Sequence, residues 1–395
     1  MARLGSKKSR TGCMRCRQRK VKCDEKRPCG ACKKHDLACS LVSHDEPGPS
    51  TRLSRRLMPI ACKTPEISSR DVSETPPRTD PDSQEIAWVT DLELMLHYTT
   101  EAYLTLPRIR EFGYIWQKVA PGFAIKHQYL LRQILAFSAL HLAYLQPKER
   151  HKYSLVATQH QSLGLQQFRA ALTRIDADNC HVLFLAASFV INVHLATLAT
   201  RIAAEDPSVT AVEDMIEMFV LVKGMSAVLN TWEYVIHDGC LNAMFAGNPV
   251  ARSRPVWDEI SQKLQHLRTT LPKRQTDPQI AEILDTEILT LSDNFKHAIE
   301  TASAPEVRTL VTWAVYASDA YIRLLRVGCP EALVLFTFYC VIVHETESDI
   351  WYSRGLGSRI VKQIQARLEP EWMDFIQWPL ERTGTNGATS HSVDG

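Results

Sequence analysis

Residues 13–39 read Cys13-Met14-Arg15-Cys16-Arg17-Gln18-Arg19-Lys20-Val21-Lys22-Cys23-Asp24-Glu25-Lys26-Arg27-Pro28-Cys29-Gly30-Ala31-Cys32-Lys33-Lys34-His35-Asp36-Leu37-Ala38-Cys39. Written as a pattern this is C-x2-C-x6-C-x5-C-x2-C-x6-C. It is an internal repeat, because Cys13–Cys23 and Cys29–Cys39 carry the same spacing. Six thiolates cannot fill two separate tetrahedral zinc sites, but they can fill two sites that share two sulfurs. The repeat nominates the first cysteine of each half, Cys13 and Cys29, as the bridges. One ion would then take Cys13, Cys16, Cys23 and Cys29, and the other Cys29, Cys32, Cys39 and Cys13.

Metal is also what the segment needs in order to fold. Val21, Leu37 and Leu41 are nearly all the large apolar side chains it has. A chain this short without a core depends on a staple, and structural zinc contributes on the order of 10 kcal/mol or more per site. No apolar h-region follows Met1-Ala2-Arg3-Leu4-Gly5, so no secretory signal is expected. A disulfide framework is therefore the weaker reading of these cysteines. A redox role for the C-x2-C pairs lacks the βαβ pattern that would surround it. Cys62, Cys180, Cys240, Cys329 and Cys340 have no ligand spacing and read as core or surface thiols.

Charge separates this head from the rest. Residues 1–40 hold 13 Lys/Arg against 3 Asp/Glu, a formal +10, whereas the remainder of the 395-residue chain carries a formal −8. A basic head on a mildly acidic body points to a nucleic-acid partner for the head. Within it, Arg17-Gln18-Arg19-Lys20-Val21-Lys22 would form a short helix, marginal in water unless its ends are pinned. Zinc would pin both ends. The second half offers only Lys33 and Lys34, followed by His35 and Asp36, so the first half is expected to face DNA. A zinc module that docks onto protein is the alternative reading of the same residues.

The stretch Cys13 to Glu25 with the Arg27-Pro28-Cys29 turn closely resembles the fungal binuclear zinc-cluster (Zn2Cys6) transcription factors. The resemblance implies that the first short helix enters the major groove at a CGG-type triplet. Carried over, Lys20 becomes the leading base contact with Arg19 assisting, while Arg17 and Lys22 sit against phosphates. Guanine O6 and N7 are acceptors, so a lysine there is chemically sensible. The resemblance further implies two zinc ions per chain, a nuclear location, and regulation of RNA polymerase II genes, as an activator in preference to a repressor.

Residues 1–42 thus read as the DNA-binding module and 43–85 as a disordered linker rich in proline and polar residues, which buries too little apolar surface to offset its ordering entropy. Residues 86–382 read as an all-helical regulatory and transactivation domain, and 383–395 as a disordered tail. Asp91 to Tyr98 opens a helix with Leu92, Met95, Leu96 and Thr99 on one side. Leu130, Leu131, Ile134, Leu135, Ser138, Leu142 and Leu145 recur at helical spacing until Pro147. A run over 151–175 follows, and further helices are expected at about 212–231, 255–271, 278–301, 304–327, 330–345, 349–368 and 370–378. Hairpin signals and alternating runs are missing, so the predicted fold class is a small binuclear zinc module joined by a linker to an all-α domain.

Val182–Ala199 is long and uncharged, but Ser188, Asn192, His194 and Thr197 interrupt it. Side chains inside a helical domain can satisfy these groups and lipid cannot, so a buried core helix is expected and no stable membrane span. Asp91 to Thr100, Leu130 to Leu142, Glu371-Trp372 and Gln377-Trp378-Pro379 resemble the regulatory half of factors similar to the fungal sterol uptake control protein family. That resemblance implies ligand sensing and control of a sterol-related or secondary-metabolite pathway. The apolar core could enclose a small apolar ligand or be filled by its own side chains, and both readings remain open. His97, His141 and His194 are expected as core histidines with hydrogen-bond partners, and Trp351, Tyr352, Trp372, Phe375 and Trp378 as core aromatics. The expected partners are double-stranded DNA and the transcription machinery. A homodimer is a further candidate, without a heptad after the cysteines to drive it. The chain carries no P-loop, G-x-G-x-x-G after a strand, H-E-x-x-H or G-x-S-x-G, so no enzyme is expected.

Overall fold

The computed structural model describes residues 16, 23–26, 28–34, 81–106, 109–245 and 254–384, without side chains for 81–87, 109–111 and 227–229. Its contacts divide the chain into two compact units, Met1–Pro76 and Pro77–Gly395. In the first unit the described residues include irregular backbone over 23–26 and a short helix, α1 (Gly30–Lys34).

The second unit is helical, with no strand among the described residues. Its longer helices are α2 (Pro81–Thr100), α3 (Gln128–Leu145), α4 (Arg150–Ala171), α5 (Cys180–Ala203), α6 (Ala211–Leu229), α7 (Pro255–Arg274) and α8 (Pro278–Thr301), then α9 (Pro305–Tyr316), α10 (Asp319–Arg326), α11 (Pro330–Glu345), α12 (Leu356–Gln365) and α13 (Met373–Arg382). Five of them begin with proline, which fits the first helical position because its fixed φ is already helical and its missing N–H would have no partner there.

Helices α5 and α11 run through the interior. In α11 every residue from Glu331 to Val343 is buried. In α5 most residues from Cys180 to Thr200 are. Among the described residues α5 is the one helix long and apolar enough to cross a membrane by itself, yet 78% of its most apolar window is buried within the fold. Its polar groups are satisfied there. Ser188 Oγ donates to the Phe184 carbonyl at 2.9 Å and Thr197 Oγ1 to the Val193 carbonyl at 2.8 Å. His194 Nε2 meets the Asp214 carbonyl at 2.9 Å, and Tyr352 donates to Asn192 Oδ1 at 3.3 Å. The expectation of a core helix is met, for the physical reason that suggested it.

Around these two helices the core is filled with rings. Phe219 of α6 lies 5.2, 5.8 and 5.5 Å from Trp313, Phe336 and Tyr339. Phe189 of α5 contacts Tyr98, Trp116 and Phe137. Edge-to-face packing of this kind adds to simple burial. Glu306, also buried, accepts from Trp257 Nε1 at 2.7 Å and from Arg254. Arg254 and Arg382 both bind Glu345, so a carboxylate–guanidinium ladder ties α7, α9, α11 and α13 together. The expected core histidines have partners as well, with His97 Nε2 and His141 Nδ1 3.0 Å apart. Trp351, Tyr352 and Trp372 are buried, while Phe375 and Trp378 are half-buried.

Several expectations are corrected. Residues 81–85, assigned to the linker, are helical, with Pro81 at the first position. Residues 43–80 of the expected linker lie outside the described residues, as do 385–395 of the expected tail. Thr383, however, is buried and donates to the Pro379 carbonyl at 2.8 Å. The apolar side read for α2 is not its most buried one, although Met95 packs against the core. Leu94 and Tyr98 are the buried pair, whereas Leu92 and Leu96 point to solvent. The helix expected at 304–327 breaks at Ala317–Ser318, where Ser318 Oγ accepts from Tyr321 N–H and caps α10.

Between α2 and α3 the chain makes short turns that the sequence did not suggest, including a π-helical segment over Ile115–Val119. Within it the Trp116 carbonyl accepts from the buried Tyr98 hydroxyl at 2.8 Å.

Candidate metal centre and nucleic-acid interface

Cys16, Cys23, Cys29 and Cys32 are buried, although the segment around them has almost no apolar core. The ligand atoms of Cys16, Cys23 and Cys29 all lie within 4.8 Å of one another. Cys16 Sγ and Cys29 Sγ are 3.6 Å apart. A disulfide needs about 2.0 Å. Two thiolates on one tetrahedral zinc, each at about 2.3 Å, stand about 3.8 Å apart. The spacing therefore fits sulfurs that converge on a metal and does not fit a bond between them.

The trio joins two cysteines of the first half to the first cysteine of the second. Cys29, which the repeat nominates as a bridge, thus lies with two cysteines of the other half, as one four-sulfur site would place it. Cys32 enters from α1, where its own N–H lies 3.4 Å from Cys29 Sγ. Its N–H and that of Lys33 also reach the Cys29 carbonyl, at 3.0 and 2.9 Å. The start of a five-residue helix is thereby tied to a metal-ligating residue, which offsets the cost of nucleating so short a helix.

A second tie comes from Asp24, which sequence reasoning passed over. Both carboxylate oxygens accept from the Gly30 N–H, at 2.9 and 3.1 Å. To reach back, the chain turns at Glu25, whose φ of 57° lies in the left-handed region that residues other than glycine rarely adopt. A Cβ on Gly30 would stand 2.9 Å from Asp24 Oδ2. Glycine at 30 therefore lets the carboxylate approach the N–H directly. An acid beside the third cysteine and a glycine beside the fourth were the available signals, but their meeting across six residues is not a local pattern.

Cys13 and Cys39, and the expected DNA contacts Arg17, Arg19, Lys20 and Lys22, lie outside the described residues. Of the five cysteines expected as core or surface thiols, Cys62 lies outside the described residues, Cys180 and Cys340 are buried, Cys329 is half-buried and Cys240 is exposed, and none of these four forms a disulfide. Burial pushes the Cys340 thiol well above its ordinary range, so it stays a protonated, unreactive core group. In the helical unit an open cleft of about 310 Å³ lies between α7, α11 and α13. Phe338, Phe375 and Trp378 line it, with Lys263, His266 and Asp374. That volume is at the lower end for small-molecule sites.

Residues 11–47 match the family profile described as the fungal Zn(2)-Cys(6) binuclear cluster domain. A Zn(2)-C6 fungal-type transcription factor of Gibberella zeae is 24% identical, covering 98% of this chain and 88% of its own length. The Zn(2)-C6 fungal-type transcription factor afumD of Aspergillus fumigatus is 27% identical over 84% of each chain. Sterol uptake control protein 2 of Candida albicans is 34% identical over 27% of this chain and 14% of its own. The converging sulfurs and the matched segment agree, and such a cluster binds two zinc ions. The chain carries a fungal-type Zn(2)-Cys(6) binuclear cluster domain at its N-terminal end and is similar along nearly all its length to Zn(2)-C6 transcription factors.

Proposed function

We propose that this protein is a nuclear, sequence-specific DNA-binding regulator of RNA polymerase II transcription that reads a CGG-type triplet through its zinc cluster. The carrying observation is the convergence of Cys16, Cys23 and Cys29 within 4.8 Å, directly flanking the cationic run 17–22. In this reading Cys13, Cys16, Cys23, Cys29, Cys32 and Cys39 hold two zinc ions, with Cys13 and Cys29 shared. The ions hold the ends of the basic helix. Lys20 then donates to guanine O6 and N7 with Arg19 beside it, while Arg17 and Lys22 neutralise phosphates. Similarity to two proteins named as Zn(2)-C6 fungal-type transcription factors supports the regulatory role.

The finer reading is an activator in a sterol-related or secondary-metabolite pathway. The match to a sterol uptake control protein supports the sterol side of it. The filled aromatic core of the helical unit favours packing over an enclosed ligand chamber, so any small apolar ligand would use an open site such as the cleft beside Phe375 and Trp378.

The test is selection of bound sequences from random duplexes by the zinc-loaded chain and by its Lys20→Ala variant. Enrichment of CGG triplets by the wild type should be lost or relaxed in the variant, at a cost of about 1–3 kcal/mol on the best site. Phosphate-directed binding should survive with its salt dependence. Enrichment of no motif by the wild type would overturn the proposal.

A further inference from the structure

Helix α2 is apolar on two opposite faces. Leu94 and Tyr98 are fully buried against the domain. On the other side Trp88 is 63% exposed, Val89 54%, Leu92 52% and Leu96 65%. Trp88, Leu92 and Leu96 follow one another at intervals of four, with Val89 beside them, so they form a single stripe along the solvent side. Together they leave on the order of 400 Å² of apolar surface in water, the size at which a contiguous patch on a soluble protein marks a binding surface. A helix apolar on both faces is ordinarily covered on both.

The charge of the helix says what covers it. Asp82, Glu85, Asp91 and Glu93 are its formal charges, and it contains no Lys or Arg. Glu101, one residue past its end, is 62% exposed. Asp91 is held by His160 Nε2 at 3.2 Å and Glu93 accepts from the Tyr153 hydroxyl at 3.2 Å, so both carboxylates are fixed along the α4 side of the helix. Lys152, next to Tyr153, is already paired with Glu149. A second copy is a poor occupant. Antiparallel pairing centred on Leu92 sets Asp91 opposite the other copy's Glu93, and parallel pairing sets each carboxylate against itself. Like charges so placed oppose association.

We propose that the outward face of α2 docks a partner protein through an apolar groove or helix face flanked by Lys and Arg. Trp88, Leu92 and Leu96 supply the anchors, with Trp88 the residue type most enriched at energetic centres of interfaces. The carboxylates of α2 set the partner's charge and speed its approach. This inference concerns a protein partner and does not rest on the DNA reading.

The test uses the full zinc-loaded chain and two helical peptides with the same leucine pattern, one Leu/Lys and one Leu/Glu, with binding read by fluorescence anisotropy. The Leu92→Ser/Leu96→Ser double variant alters exposed side chains only, and an unchanged circular dichroism spectrum verifies its fold. The Leu/Lys peptide should bind the wild type, weaken by about tenfold or more on the double variant as anchor loss does at interfaces, and outcompete the Leu/Glu peptide. Equal binding of the Leu/Lys peptide to both proteins, no binding to either, or equal binding of the two peptides would overturn the proposal. So would a dimer of the wild type in sedimentation that the double variant abolishes, because the occupant would then be a second copy.

Discussion

Replacing Asp24 by alanine removes the carboxylate that holds the Gly30 N–H at the start of α1. Loss of a helix-start acceptor costs about 0.5–2 kcal/mol. Both residues are exposed here, and solvent competes for the N–H, so a value of about 1 kcal/mol is appropriate. In a module whose folding is its metal binding, this cost appears directly in zinc affinity. At 1.4 kcal/mol per factor of ten it amounts to about fivefold weaker binding. The assay is competition for zinc between the full chain and a chromophoric chelator. Asp24→Asn keeps an acceptor oxygen and should lose about half as much on a logarithmic scale. Gly30→Ala pushes the carboxylate away from a contact of 2.9 Å, but alanine favours helix over glycine by about 1 kcal/mol, so the two effects should nearly cancel. Wild-type zinc affinity in Asp24→Ala, or a larger loss in Gly30→Ala than in Asp24→Ala, would refute the reasoning.

Other outcomes follow from the helical unit. Glu306→Ala leaves the buried Trp257 N–H without its acceptor, while the exposed Arg254 keeps Glu345, so the loss should be about 1–3 kcal/mol in urea unfolding. Phe219→Ala opens a cavity among Trp313, Phe336 and Tyr339, with an expected loss of about 3–5 kcal/mol in the same measurement. Burial, and then the neighbouring His97, hold His141 down to about 4. Between that value and the ordinary 6.5 the unfolded chain takes up a proton that the folded chain refuses, so stability falls as pH drops through this window. The loss from His141 should be about 2 kcal/mol between pH 7 and pH 5, and His141→Gln should remove that part of the slope. His344 runs the other way, raised by its hydrogen bond to Glu347, and recovers part of the loss. An unchanged slope in His141→Gln would contradict this assignment.

The cysteine spacing carried most of what the sequence could say about the site. It separated candidate ligands from core thiols, and three of the candidates, Cys16, Cys23 and Cys29, come together. Metal geometry imposes few solutions on six cysteines, so spacing alone is informative. Asp24 and Gly30 escaped because their contact depends on a backbone turn at Glu25 that no local preference announces. In the helical unit, α3 was readable from the spacing of Leu130, Leu131, Ile134, Leu135 and Leu142, although its residues from Gln133 to Ala143 are all buried. The buried helices α5 and α11 were readable as apolar runs with satisfiable polar groups. Periodicity failed at α2, where Leu92 and Leu96 form a stripe as regular as that of Leu94 and Tyr98, and only packing decides which one turns inward. It failed again at Ser318, whose capping role was masked by apolar spacing on either side. The turns around Trp116 were missed because a π-helical segment has no period of its own in the sequence.

The claim beneath the functional reading is that six thiolates share two metal ions. Zinc-edge X-ray absorption with a metal count on the full chain addresses it directly. Two zinc ions per chain, an all-sulfur shell at about 2.3 Å and a second zinc as a nearby scatterer are the expected result. A single ion, nitrogen or oxygen in the shell, or cysteines joined as disulfides without metal would contradict it.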